Sequence, residues 1–240
     1  MSDKVSCPNC SNQYSRISQH WRFTPDHRPK FTQKQKEVIT GLLMGDGCIS
    51  TSNKNPYIVS NMTSPNYLNY IDKIFGILGN GVKLSKTSRK SAKEDKESGF
   101  NTNAKEENYS DVYTWQSRSH PDLQKWADWY KSGEKVWPKD IELTSTVLKH
   151  WYCGDGTWES GGTSNCISFA VANEIDNTNK IDKMFKNVGL PVPSNYNKSK
   201  RNDGTFKCNA VFTVNGSHDL WGYMGEPLPD FEYKWPNEYR

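Results

Sequence analysis

Two stretches of the chain carry apolar residues at near-helical spacing and then stop at Gly-Asp-Gly. In the first, residues 39–47 (ITGLLMGDG), the positions Val38, Ile39, Leu42 and Leu43 predict a mostly buried helix. In the second, residues 148–156 (LKHWYCGDG), Val147, Leu148, Trp151 and Tyr152 repeat the pattern. The glycine after each aspartate suits a left-handed turn that ends a helix. The pattern therefore puts a carboxylate at the foot of a buried helix, twice.

The segments flanking each motif are patterned too. Thr32, with polar helix formers after it, is a helix start for the first motif. Alternating segments around residues 53–56 predict a hairpin, and residues 66–78 a helix ending at Gly79. In the second half, residues 157–165 read as loop and turn, 166–172 as a strand, and 177–188 as a helix ending at Gly189. IDKIF at 71–75 aligns with IDKMF at 181–185. SHPDL at 119–123 echoes SHDL at 217–220, each after an alternating aromatic strand, 112–116 and 210–214. An internal repeat of this kind marks duplicated architecture. The predicted class is α+β, with two αββαββα halves at 31–131 and 145–240, a linker at 132–144 containing Gly133 and Pro138, and a separate unit at 1–30. Residues 86–108 mix charges without apolar periodicity, which predicts a segment mobile without a partner. Ordering along a bound partner and an ordinary solvated loop are both open there.

Gly41, Gly45 and Gly154 leave room for two helices to pack closely, so that Asp46 and Asp155 meet at one end. Adjacent carboxylates repel and call for a cation. Mg²⁺ takes oxygen ligands, few of them from protein, and leaves places for water and phosphate. Paired metals with one carboxylate each suit phosphodiester hydrolysis. A helix-ending turn explains one GDG; two copies at matched places in a repeat favour the metal.

On ITGLLMGDG and LKHWYCGDG the chain resembles the LAGLIDADG homing endonucleases, in their single-chain form with two motifs, over most of residues 35–235. The second motif departs at His150, where a small residue is usual; YKSGEKVWPKDIEL and FEYKWP also resemble family chains. The resemblance implies an antiparallel β saddle across duplex DNA, with the motif helices at its centre. It implies a monomeric, sequence-specific endonuclease with a long target, hydrolysing both strands across the minor groove and leaving 3′ overhangs. It implies two or three Mg²⁺ ions, with Ca²⁺ or Mn²⁺ as substitutes, at Asp46, Asp155, Gly45 and Gly154. It adds Lys135 and Arg118 as basic groups near the site, and Thr63 and Asn173 as polar groups that organise water, for which a structural strand-end role is the equal alternative. An RNA-splicing maturase or a non-cleaving DNA-binding regulator on the same scaffold is the alternative.

The major groove admits a two-stranded β-ribbon. The candidate readers are Ser50, Ser52, Asn53, Lys54, Asn55 and Tyr57 in the first half. In the second they are Trp158, Ser160, Thr163, Asn165, Lys198, Lys200, Arg201, Asn202 and Lys207. For each one alone, a solvent-facing strand residue is the simpler reading; the collective face is the claim.

Composition changes this picture little. A net charge of +4 is compatible with nucleic acid. No apolar run approaches the roughly 20 residues that span a bilayer, and the start, MSDKVSCPNC, lacks the apolar region of a signal peptide, so an intracellular protein, cytoplasmic or organellar, is expected. Only Cys7 and Cys10 form a cysteine motif. With His20 and His27 they match the ligand types of Zn²⁺, which could staple a segment too short for its own core. A redox pair or an unliganded tail also fits. Tyr14, Trp21 and Phe23 would pack around the metal, and Arg16, Arg22, Arg28 and Lys30 offer either contacts to a DNA backbone or a solvated surface. A zinc-finger interaction protein would explain only residues 1–30.

Overall fold

The computed structural model describes residues 4–131, 133–161, 164–200 and 204–240, with the side chains of 160, 161 and 164 excepted. These residues form two compact units: residues of 1–36 with 49–125, and 37–48 with 126–240. The first motif helix therefore leaves the first sequence half and joins the second unit, a division that the repeat pattern does not suggest.

The first unit opens with β1 (Val5–Ser6), β2 (Gln13–Tyr14) and α1 (Ile17–Phe23). α2 (Gln33–Met44) starts in a reciprocal cap: the Gln35 amide donates to Thr32 Oγ1 (3.2 Å) and the Thr32 amide to Gln35 Oε1 (2.9 Å). Then come β3 (Cys48–Ser50), β4 (Tyr57–Met62), α3 (Pro65–Phe75), β5 (Gly79–Lys86), α4 (Ser88–Glu97), β6 (Val112–Ser117) and α5 (Gln124–Ala127). The sheet order is β3-β4-β6-β5, with β6 antiparallel to both neighbours. Ile58 on β4 and Trp115 on β6 are buried, as are Leu68, Ile71 and Phe75 of α3, and the Phe75 ring meets Trp115 edge-on at 4.8 Å. Asp72 of the repeated IDK segment ties helix to sheet, accepting from Trp115 Nε1 (2.8 Å) and the Gly81 amide (3.0 Å).

Residues 88–97 are the helix α4, where the sequence pattern predicts mobility. Its order comes from charge pairing and capping. Thr87 accepts from the Lys90 amide (3.2 Å), Lys93 pairs with Glu97 (3.6 Å), Lys86 pairs with Glu94, and Tyr109 donates to Asp95 (2.7 Å). Ala92 is its one buried apolar contact, so no apolar period is visible.

The second unit contains the end of α2, then α6 (Ser145–Asp155), β7 (Gly156–Gly161), β8 (Ser164–Ala170), α7 (Thr178–Asn187), β9 (Asn195–Lys200), β10 (Phe206–Val211) and α8 (Val214–Met224). The sheet is antiparallel, in the order β7-β8-β10-β9. The expected loop at 157–165 is in large part strand: Trp158 pairs with Ile167 and its ring meets Trp221 edge-on at 6.1 Å. The expected strand at 210–214 ends early, because Thr213 accepts from the Gly216 amide (3.0 Å) and starts α8. The core is aromatic, built on Trp151, Phe169, Phe185, Phe212 and Trp235. Asp182 repeats the role of Asp72, accepting from Tyr196 Oη (2.7 Å).

Both halves therefore run α-β-β-α-β-β-α with the same sheet order, and α4 is an insertion between β5 and β6 of the first. Matching serines complete the parallel: the Ile58 amide donates to Ser117 (2.9 Å) and the Ile167 amide to Ser217 (2.7 Å). Among the described residues, no helix is long and apolar enough to cross a membrane.

Candidate active site and nucleic-acid interface

Within the second unit, α2 and α6 touch through their backbones. A methyl group on Gly41 would stand 2.5 Å from the Val147 carbonyl oxygen and 2.6 Å from His150 Cβ. The large His150 of the second motif is thus accommodated by the missing side chain of the first. One turn on, a methyl on Gly154 would stand 2.8 Å from the Asp46 amide nitrogen and 3.1 Å from Gly45 Cα. This closeness brings the two helix ends, and their aspartates, together.

The glycines that come after the aspartates are not in left-handed turns. Gly156 is extended (φ −82°, ψ 147°), and Gly47 is not among the residues with positive φ. They are required by space. A methyl on Gly47 would lie 2.7 Å from the Leu42 carbonyl oxygen, and one on Gly156 1.9 Å from Tyr152 Cδ2.

The two carboxylates differ in setting. Asp46 is exposed, while Asp155, the last residue of α6, is half-buried. Burial, and then the charge of Asp46, push Asp155 up to about 7 against the opposing pull of Lys135 and Lys234. Each helix end has a lysine. Lys135 Nζ donates to the Gly45 carbonyl (2.8 Å). Buried Lys234 donates to the carbonyls of Gly156 (2.7 Å), Cys153 (2.8 Å) and Tyr152 (3.3 Å). Both satisfy carbonyls that a helix end leaves unpaired, and both place a cation at the negative end of the dipole. Burial lowers the pKa of each, and the two aspartates act against that fall. A clamp holds the segment that carries Lys135. The Trp137 amide donates to buried Glu174 (2.9 Å), and Lys180 bridges Glu174 (2.5 Å) and the Trp137 carbonyl (2.9 Å).

A cavity of about 390 Å³ collects Gly45, Asp46, Lys135, Asp155 and Asn173, with Cys48 and Tyr130 in its wall. A second, of about 430 Å³, is lined by Gly154, Asp155, Trp158, Tyr233 and Lys234. Asp155 stands in the wall of both. The Tyr130 hydroxyl is buried without a partner among the described residues, and burial raises its pKa to about 12. Sequence reasoning missed Tyr130 and Lys234. The near-repeat of KVWP at 135–138 as KWP at 234–236 was the available signal for the lysine.

Arg118 and Thr63 belong to the first unit. Arg118 is engaged there: its Nε donates to the Ile77 carbonyl (2.9 Å) and its amide to Leu78 (2.7 Å). Thr63 is exposed directly after β4. Cys7, Cys10, His20 and His27 converge, also in the first unit.

The readout candidates divide by register. In the first unit, Ser50, Ser52 and Tyr57 form a hydroxyl chain with spacings of 3.1 and 3.2 Å. Asn53 donates to Ser119 (3.3 Å), and Lys54 and Asn55 lie in the same β3–β4 connection. Trp115 faces the core, so its neighbours Thr114 and Gln116 face away, opposite Asn61 and Val59, with Lys83 opposite Thr114. This polar row of Asn61, Thr114, Gln116 and Lys83 was not among the candidates. In the second unit Lys198 lies opposite Cys208, and Lys200 opposite Phe206. Cross-strand partners share a face, and buried Cys208 and Ala210 mark it as the core side. Lys198 donates to the Ile175 carbonyl (2.9 Å). The register thus moves Lys198 and Lys200 off the outer face and puts Asn197, Ser199, Lys207 and Asn209 on it. Trp158 packs on Trp221 from the core side; Asn165 is exposed. Thr163, Arg201, Asn202 and the side chain of Ser160 lie outside the described residues.

The fold is similar to that of the homing endonuclease I-WcaI bound to its DNA recognition sequence, with a TM-score of 0.68 and 14% identity over 95% of this chain and 93% of that one. Fainter likenesses are to the N-terminal LAGLIDADG domain of DUF199/WhiA, with TM-score 0.47, 11% identity and coverage of 82% and 87%, and to I-DmoI in complex with DNA and Mn, with TM-score 0.45, 11% identity and coverage of 80% and 96%. No curated protein matches the chain. The sequence itself matches the LAGLIDADG DNA endonuclease family over residues 36–209, a span that includes both GDG helix ends and most of both sheets, and the chain belongs to that family.

Proposed function

We propose that the protein is a sequence-specific endonuclease that hydrolyses both strands of duplex DNA across the minor groove, with divalent metal, and leaves 3′ overhangs. The observation that carries this reading is the convergence of Asp46 and Asp155 at two touching helix ends, in one cavity with Lys135. A carboxyl that titrates near 7 beside another acid fits a site built for a cation. Asp46 and Asp155 would hold Mg²⁺, flanked by the Gly45 and Gly154 backbone. Such a cation supplies Lewis-acid stabilisation of the attacking and leaving oxygens.

The chain's own groups supply the rest. The ammonium groups of Lys135 and Lys234 set positive charge where a phosphoryl group gains negative charge. Asn173 and the buried Tyr130 hydroxyl orient water or phosphate in the cavity. The outer rows of the two sheets, Asn61, Thr114, Gln116 and Lys83 in one and Asn197, Ser199, Lys207 and Asn209 in the other, read bases. I-WcaI, which shares the fold, binds its own recognition sequence, and duplex DNA is the corresponding partner here. A splicing maturase or a non-cleaving regulator on this scaffold has no need of the paired acids, and their convergence favours cleavage.

The test starts from a duplex library in which cut sites are found by sequencing. With the target in hand, Asp46→Asn and Asp155→Asn should each abolish double-strand cleavage and retain binding in a gel-shift assay. If both variants still cut that target, the carboxylates are not the catalytic pair.

A further inference from the structure

Four side chains that this chemistry does not use meet in the first unit. Cys7 and Cys10 come from the turn between β1 and β2, His20 from α1, and His27 from the 3₁₀ turn Pro25–His27. One ligand atom from each lies within 4.8 Å of the others. Cys10 Sγ is 3.6 Å from His20 Nε2, Cys7 Sγ is 4.0 Å from His27 Nδ1, and the two imidazole nitrogens are 3.2 Å apart. A tetrahedral ion with Zn–S of about 2.3 Å and Zn–N of about 2.0–2.1 Å sets adjacent S and N atoms roughly 3.5 Å apart, and two N atoms roughly 3.3 Å apart. The cluster already has nearly these spacings.

The surroundings prepare the ligands. Thr24 Oγ1 donates its single hydrogen to the His20 carbonyl (2.7 Å) and lies 3.0 Å from His20 Nδ1, against 3.4 Å from Nε2. The Tyr14 ring stacks on His20 at 4.0 Å, and its hydroxyl stands 3.6 Å from Cys10 Sγ. The two-cysteine turn is tight. The Ser11 amide donates to the Cys7 carbonyl (2.8 Å), and Ser11 takes φ 59°. Few apolar side chains support this segment: Ile17 and Trp21 are buried, and each strand is two residues long. That is too little core to fold such a piece unaided. A C-x-x-C disulfide would leave two converging imidazoles without a purpose.

We propose that Cys7, Cys10, His20 and His27 bind one Zn²⁺ ion that folds the segment from β1 to the turn Pro25–His27. Four protein ligands complete the tetrahedron, so the ion is structural and has no open position for substrate. The proposal is independent of the cleavage chemistry.

The full chain, expressed with zinc and purified without chelator, should hold about one zinc, and so should the Asp46→Asn/Asp155→Asn double variant. Replacement by Co²⁺ should give tetrahedral d–d bands with a thiolate charge-transfer band. Cys10→Ser and His27→Asn should lose the zinc, and chelator should open the first 30 residues to protease ahead of the rest. Because either variant could misfold, the unsubstituted chain decides. Zinc below about 0.1 per chain with no thiolate–cobalt band overturns the proposal, and so does zinc that disappears in the double aspartate variant. A Cys7–Cys10 disulfide in freshly purified protein, seen as a 2 Da mass deficit on the peptide, also overturns it.

Discussion

The two Gly-Asp-Gly ends share three letters and little else. Asp46 stands exposed beyond the last turn of α2, while Asp155 closes α6 half-buried and holds its proton to about pH 7. Lys135 reaches its helix end with one bond to Gly45, whereas Lys234 is buried and donates to three carbonyls. Duplication has kept the acids and let their surroundings diverge. The proposed catalytic pair therefore joins one exposed carboxylate to one that burial holds protonated to about pH 7. The lysines differ in the same way, one holding a single carbonyl and the other, buried, holding three.

The lysines offer the largest contrast. Lys135→Met should lower kcat by about 10²–10³-fold with a smaller change in Tm than at Lys234, since a single part-buried bond is lost. Lys234→Met should lose activity and also about 2–4 kcal/mol of stability, because buried carbonyls lose their donor. Equal stability losses in a urea titration would remove the distinction.

Helix contact comes next. Gly41→Ala should destabilise the protein by about 1–3 kcal/mol, since the new methyl meets backbone and a Cβ rather than a flexible tip. The same change at Gly222, where a methyl meets nothing within 4 Å, should be neutral or slightly stabilising. A tolerant Gly41 would mean that the helix ends do not touch as described.

The last effect is the pH dependence that Asp155 brings to stability. Asp155 has its folded pKa raised from 3.8 to about 7, so the stability it contributes is complete below about pH 4 and is lost as pH rises through 7. In chelator, wild-type Tm should therefore fall from pH 5 to pH 8 relative to Asp155→Asn, by an amount worth about 1–3 kcal/mol. In Asp46→Asn, where the second cause of the Asp155 shift is gone, the fall should be smaller. Divalent cations should reverse the fall, and their affinity should weaken as the pH drops below 7. A flat Asp155→Asn difference across this range would place the proton elsewhere.

Much of this architecture was legible in the chain itself. The motif helices, the Thr32 start and the repeated IDK segments depend on local periodicity and capping, which a sequence displays directly. The failures share a different cause. Gly47 and Gly156 answer to atoms of Leu42 and Tyr152, not to a backbone angle, and that crowding depends on the folded packing. α4 stands on Lys–Glu pairs and a Thr87 cap, which leave no apolar period. Lys198 and Lys200 looked like readers because they alternate on a polar strand. Their face is set by pairing with Cys208 and Phe206, and a single strand does not reveal its register. Lys234 sits one position away from the place its Lys135 counterpart predicts relative to Trp-Pro, and that offset hid it.

The central claim is that Asp46 and Asp155 jointly hold divalent metal against a DNA backbone. A crystal of the protein with its target duplex and Mn²⁺, measured at the manganese absorption edge, tests it in one experiment. Anomalous peaks are expected at the two carboxylates, beside the scissile phosphates, and should vanish in the Asp46→Asn/Asp155→Asn variant. Bound duplex with manganese at other side chains, or with the two carboxylates turned away from it, would contradict it.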